Sequence, residues 1–145
     1  MKIAIGADHR GFVQKSTIMR ALMQNNAIDC IDVGAETAER SDYPKYAHAV
    51  VRMLLDGTAD AGILLCGNGV GMAMAANRYK GIYAGVAWTP EIARVMKEDD
   101  NVNVLVIPSD YVTDEHVASI VAVWLGATFK QGRYAERLRM VDAME

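Results

Sequence analysis

The stretch that most constrains this chain runs from Ala61 to Asn77, AGILLCGNGVGMAMAAN: an apolar run, a cysteine, glycines at alternate positions, then small helix formers. Ile63, Leu64 and Leu65 have no polar interruption, which suits a strand covered on both faces, as in a parallel sheet, and Met72 to Ala76 is rich in good helix formers. The pattern predicts strand, loop and helix, with Cys66 at the strand's carboxyl end. Gly67, Gly69 and Gly71 bring no side chains into the loop, so several backbone N–H groups can converge on one small anionic atom, and the helix N-terminus adds positive potential. That would be an anion hole beside a thiol. The same residues also fit a tight strand-to-helix turn with a buried structural cysteine, and local sequence does not choose between the two.

Two phosphate-loop readings fail. A dinucleotide fingerprint places its third glycine one residue later than Gly71 and ends the next strand on an acidic residue, whereas the next strand here ends near Ala87 and Trp88. A P-loop needs Gly-Lys-Ser/Thr, which does not follow these glycines. Composition narrows the class further. A chain of 145 residues, 52% apolar, can bury one good core and is too short for two, so a single domain over residues 1–145 is expected. A net charge of -3 without a basic cluster argues against nucleic acid or an anionic membrane as partner and favours a small molecule. Met1 to Gly6 is too short an apolar run, cut too soon by Asp8, for a signal peptide, and no later stretch could span a bilayer. A cytoplasmic protein is expected. Cys30 and Cys66 lie in different strand-like runs and match neither a disulfide framework nor a zinc site.

In chain order, Lys2 to Ala7 reads as a strand. Asp8-His9-Arg10-Gly11 ends it before a helix on which Phe12, Met19, Leu22 and Met23 share a face. Ile28 to Val33 is a second strand with Cys30 as a packed residue, and the methionines read as core filler. Pro44 suits the first turn of a helix with apolar Ala47, Val50, Val51, Leu54 and Leu55, ended by Gly57. After the central strand, Tyr83 to Ala87 is a fourth strand, Thr89-Pro90 opens a helix broken at Asp99 to Asn101, and Val102 to Ile107 is a fifth strand. Thr113 then caps a helix reaching Phe129, with Val117, Ile120, Val121, Trp124 and Leu125 at helical spacing, and Tyr134 to Met144 makes a last helix. Strands alternating with helices over short connections imply an α/β three-layer domain of Rossmann-like type, a five-stranded parallel sheet with helices on both faces. Ligands of such sheets bind outside the strands' carboxyl ends, and on that rule Asp8, His9, Cys66, Trp88 and Asp99 to Asn101 are expected at one rim.

These residues resemble the type B ribose-5-phosphate isomerases and the related galactose-6-phosphate isomerase subunits. The likeness runs end to end, through Gly6-Ala7-Asp8-His9, Ser41-Asp42-Tyr43-Pro44, Gly62 to Gly71, Ala75-Ala76-Asn77, Asn103-Val104-Leu105 and Gly132-Arg133 with Arg137. The resemblance implies an aldose-ketose isomerase of a phosphorylated sugar, without cofactor or metal. It also implies a homodimer whose two sites draw residues from both subunits; the sequence does not say whether dimers pair into a tetramer. In such enzymes the cysteine matching Cys66 moves a proton between C2 and C1 of the open sugar while the amides of Gly67, Asn68, Gly69, Val70 and Gly71 hold the enediolate. Physical chemistry fits that role, because a thiol at a helix N-terminus has its thiolate favoured and loop amides stabilise charge that develops in the transition state. The likeness makes Asp8, Asp42 and Tyr43 sugar-binding residues, although a loop turn is also open for Asp42. It gives the phosphate to His9, Arg133 and Arg137, and arginine suits a bidentate grip on phosphate. Arg10 and Arg139 receive no role and are expected as solvated charge.

The chain also departs from that family. Asn68 stands in place of threonine or serine, Asp99 and Asp100 in place of histidine and asparagine, Asp110 in place of an arginine, and Tyr134 in place of a common histidine. Asp99 can still return a hydroxyl proton as a general base in ring opening, and Asp100 falls among the substrate-binding positions. Asp110 would repel a phosphate unless its side chain turns away. A non-catalytic sugar-phosphate-binding homologue, or one subunit of a heteromeric isomerase for another sugar such as galactose 6-phosphate, is the alternative reading. Retention of Cys66 and all the loop glycines favours the enzyme.

Overall fold

The computed structural model describes residues 1–144. Its elements in order are β1 (Lys2–Ala7), α1 (Phe12–Leu22), β2 (Asp29–Asp32), α2 (Tyr43–Leu55), β3 (Ala61–Cys66), α3 (Val70–Ala76), β4 (Ala84–Val86), α4 (Pro90–Asp100), β5 (Val104–Pro108), α5 (Asp114–Gly126) and α6 (Arg133–Asp142). The strands form one sheet in the order β2-β1-β3-β5-β4, and every pairing is parallel. The expected α/β architecture is the observed one. Side chains alternate across each strand, so Ile3, Ile5, Ile63, Leu65, Leu105 and Ile107 pack with α1, α4 and α5, while Ala4, Leu64, Cys66, Val104 and Val106 pack with α2 and α3. All six residues of β3 are buried, as a central strand covered on both faces requires.

The order reverses direction between β1 and β3: the chain leaves β1 toward β2 on one side and continues from β3 toward β5 and β4 on the other. That reversal opens a crevice at the carboxyl ends of β1 and β3, where Asp8 and Cys66 lie. Thr89 caps α4 as expected, its hydroxyl accepting from the Ile92 N–H at 3.2 Å, with Pro90 in the first turn.

Several sequence expectations need correction. On α1 the buried side chains are Gln14, Lys15, Ile18 and Leu22, and Met23 is exposed. Polar residues occupy that face because Lys15 reaches Asp32 at 2.7 Å and the Ala35 carbonyl at 2.6 Å, so its buried ammonium is fully engaged. Only Met72 and Met96 are buried methionines; Met1, Met23, Met74, Met140 and Met144 face outward. Thr113 stands at the N-cap of α5 without a side-chain cap bond, and the helix ends at Gly126 rather than Phe129. Its apolar face is covered within the chain: Val117, Ile120, Val121 and Trp124 are buried, and the Trp124 indole donates to the Val102 carbonyl at 3.1 Å. That face therefore calls for no partner. Among the described residues no helix is long and apolar enough to cross a membrane.

Candidate active site

Cys66 ends β3, in register with Pro108, and is almost fully buried. The backbone N–H groups of Gly69 and Met72 face its sulfur and favour the thiolate, yet burial outweighs them and pushes the thiol's pKa up. The expected depression by a helix N-terminus is thus overturned by desolvation, with Asp8 adding repulsion and Arg10 attraction.

Each loop glycine has its own reason. Gly69 is the N-cap of α3 at φ +79°, a left-handed conformation that costs side-chain-bearing residues energy. A Cβ on Gly71 would lie 2.6 Å from the Tyr43 ring, and one on Gly67 would lie 2.6 Å from Cζ of Arg10. Gly67 and Gly71 therefore make room for two side chains as well as baring amides. Asn68 turns back on the loop, its Oδ1 accepting from the Val70 N–H at 3.0 Å.

Asp8 is buried and linked to the same corner, its N–H donating to the Leu65 carbonyl at 3.2 Å and its Oδ1 accepting from the N–H groups of Arg10 and Gly11. His9 is held to Ser41, its Nδ1 lying 3.2 Å from both the Ser41 N–H and the Ser41 carbonyl oxygen, which leaves Nε2 free to meet a ligand. Asp42 is the N-cap of α2 with no side-chain cap bond, so its carboxylate is free of the loop-turn role. Asp8, His9, Asp42, Tyr43 and the Cys66 to Gly71 loop therefore gather as expected.

Asp99 and Asp100 do not join them. They form the last turn of α4, and Asn103, which follows, donates its N–H to the Tyr83 carbonyl at the entrance to β4. In a parallel sheet, what precedes a strand lies at its amino edge, and Gly62 pairs with Val104 four residues before Cys66 pairs with Pro108. At a strand rise of about 3.3 Å per residue, the two edges are roughly 13 Å apart. The expected single rim is corrected accordingly. Asp99 accepts from Lys130 Nζ at 2.7 Å. Arg133 and Arg137 lie near this second group on α6, their guanidinium carbons 5.1 and 5.6 Å from the Tyr134 ring centroid. A cleft of about 920 Å³ between the β4 edge and α6 is lined by Asp100 and not by Cys66.

Sequence reasoning missed Arg10, which is not a free surface charge. It crosses Gly67 and donates to Asp110, so the two exposed side chains are paired with each other. No local pattern could have paired residues 100 positions apart.

Taken together, a thiol ringed by amides, a buried carboxylate and a histidine can move a proton beside a carbonyl and hold the oxyanion that forms. Comparisons with known proteins agree with that chemistry. A family model described as Ribose/Galactose Isomerase matches residues 3–141. Ribose-5-phosphate isomerase B of Escherichia coli is 40% identical over 144 residues, covering 99% of this chain and 96% of the relative. The crystal structure of a ribose 5-phosphate isomerase from Thermotoga maritima superposes with a TM-score of 0.95 at 40% identity, covering 99% of this chain and 98% of that one. Ribose-5-phosphate isomerase B from Mycoplasma genitalium, solved with bound ribulose-5-phosphate, superposes at 0.92 with 34% identity, covering 97% and 93%. The chain belongs to the ribose/galactose isomerase family.

Proposed function

We propose that this chain is a single-domain aldose-ketose isomerase that interconverts ribose 5-phosphate and ribulose 5-phosphate without cofactor or metal. The observation that carries the reading is Cys66, with the Gly69 and Met72 N–H groups directed at its sulfur and Asp8 beside it. As thiolate, Cys66 takes the proton from C2 of the open aldose, and the electrons of the broken C–H bond move toward the carbonyl to give an enediolate. The loop amides hold the developing oxyanion. A proton passes from the C2 hydroxyl to O1, and the thiol then returns its proton to C1 as the C2 oxygen's electrons form the new carbonyl, leaving the ketose and regenerating the thiolate. Asp8, Asp42 and Tyr43 hold sugar hydroxyls, and His9 donates to the phosphate through Nε2.

The phosphate's arginines and Asp99 come from a second copy. Arg133 and Arg137 stand with Asp99 at the far edge, and no residue of α6 is buried. A helix with no fully buried residue on its own chain, with Met140 and Val141 exposed, fits docking against a partner, as do exposed Val70 and Met74 on α3. We therefore read the active form as a homodimer with shared sites. Free Cys30 and Cys66 are in keeping with a reducing, cytoplasmic setting.

The first test is a coupled assay over five- and six-carbon aldose phosphates. Wild type should turn over ribose 5-phosphate, and Cys66→Ala should lower kcat by about two to four powers of ten with the fold intact. An active Cys66→Ala protein would remove Cys66 from the role. A second reading, another sugar such as galactose 6-phosphate, is favoured by the carboxylates of Asp99 and Asp100 at positions the family fills otherwise; the same screen decides it.

A further inference from the structure

The loop after β1 lays Arg10 against the turn that carries Cys66. A Cβ on Gly67 would stand 2.6 Å from Arg10 Cζ and 2.7 Å from Nε and Nη1, so the guanidinium fills the space this glycine leaves open. Nη2 donates to Asp110 Oδ2. Asp110 is fastened to the same turn through its backbone, its N–H donating to the Gly67 carbonyl at 3.0 Å, while the Ser109 N–H donates to the Cys66 carbonyl at 2.9 Å. The ion pair is thus locked to Cys66 and Gly67 from two sides, although about half of the arginine side chain is open to solvent. A surface ion pair contributes little stability by itself, so its fixed placement is the feature that calls for explanation.

We propose that Arg10 and Asp110 act together as positioning residues that set the charge met by Cys66, the guanidinium across Gly67 favouring the thiolate and the carboxylate aiming it while offsetting part of its field. The other groups acting on Cys66 are Asp8 from the loop after β1 and the amides of Gly69 and Met72, while the nearby titratable His9 and Tyr43 stand against Ser41 and Gly71. Asp8 works against the thiolate and Arg10 for it. Burial already disfavours the charged sulfur, so a fixed cation beside it is the simplest means of keeping a useful thiolate fraction. The inference builds on the reading of Cys66 as the base, but its test requires no substrate.

The test is the pH dependence of iodoacetamide alkylation of Cys66 in the full chain, followed by peptide mass spectrometry, with Cys30 in the same molecule as internal control. Arg10→Gln keeps donors for Asp110 and removes the charge. It should move the Cys66 profile to higher pH and slow its alkylation at pH 8 by about threefold to tenfold, less at high salt because the pair is exposed. Arg10→Lys should restore much of the rate. Asp110→Asn keeps an oxygen for the guanidinium and removes the opposing charge, so it should move the profile to lower pH. Opposite shifts from the two variants, with Cys30 unmoved, are the expected result. An unmoved profile in Arg10→Gln, or shifts of the same sign in both, overturns the proposal. If Arg10→Gln does not fold, the sign in Asp110→Asn alone decides: faster alkylation supports the pair, and unchanged or slower alkylation overturns it. Wild type that alkylates as expected but isomerises no sugar phosphate would overturn the isomerase reading and leave this one standing.

Discussion

Gly69→Ala separates backbone strain from damage to the site, because the fold supplies its own control. Gly69 sits at φ +79° and Gly81, in the loop before β4, at φ +82°. Alanine in either place meets the left-handed penalty of roughly 1–2 kcal/mol. At Gly81 nothing lies within 4 Å of the new Cβ, whereas at Gly69 it would stand 3.0 Å from Val86 Cγ1 and 3.3 Å from Val106 Cγ1. Those valines belong to the sheet and cannot swing aside, so overpacking adds about 1–2 kcal/mol, at the lower end of its usual range. For a domain of this size each kcal/mol lowers Tm by about 2–4 °C, giving roughly 5–15 °C for Gly69→Ala against about 2–8 °C for Gly81→Ala. The functional contrast is sharper. Relief of the clash turns the Gly69 amide away from Cys66, and loss of one such donor commonly reduces kcat by about a hundredfold or more. Gly81→Ala should keep full activity. Calorimetry and the isomerase assay on both proteins suffice, and Gly69→Ala behaving like Gly81→Ala in Tm and kcat alike would refute the argument.

Two further predictions concern titration and tethering. Burial and the nearby Asp32 and Asp29 push the Cys30 thiol up to about 11 from the ordinary 9.0, so the folded state favours its protonated form. That stability is complete below about pH 9 and is lost as pH rises through 11; urea midpoints across this window should fall less in Cys30→Ala than in wild type, and parallel curves would exclude Cys30 as the cause. The Tyr83 hydroxyl donates to both carboxylate oxygens of Asp142, at 2.8 and 2.7 Å, and fastens the end of α6 beside β4. Tyr83→Phe should free that helix and, since Arg133 and Arg137 ride on it, raise KM for the sugar phosphate about threefold to tenfold with kcat less affected. An unchanged KM would mean α6 is held by other contacts.

What the sequence disclosed was local. The run from Ala61 to Ala76 specified strand, loop and helix by itself because each signal, apolar continuity, glycine and helix former, acts over a few residues. The parallel sheet followed from alternation. What it hid was spatial. The rule that ligands bind outside the strands' carboxyl ends puts Asp99 and Asp100 beside Cys66, but α4 runs back from the carboxyl edge, so its last turn lies at the amino edge. Residues that precede a strand and residues that follow one do not share an edge of a parallel sheet. Arg10 was another matter: its partner Asp110 is brought near only by the β1-β3-β5 pairing, and a lone arginine after Asp8-His9 carries no pattern.

The division between the two edges leads to the last prediction. The carboxyl edge holds the thiol, the amides and Asp8, while Arg133 and Arg137 stand at the other edge, so a sugar phosphate bound at Cys66 cannot reach the arginines of the same chain. If two copies related by a two-fold axis exchange these groups, each site combines Cys66 of one with Arg137 of the other. Cys66→Ala and Arg137→Ala proteins should then each be strongly impaired alone. In their mixed dimer, one site carries both defects and the other carries none. Random reassociation of equal amounts makes half of the dimers mixed, and each has one intact site, so about a quarter of wild-type activity should return. Unfolding and refolding the two variants together, against each refolded alone, provides the measurement. If the mixture is no more active than the average of its components, then Cys66 and Arg137 act within one chain or the arginine is not needed, and the shared-site reading fails.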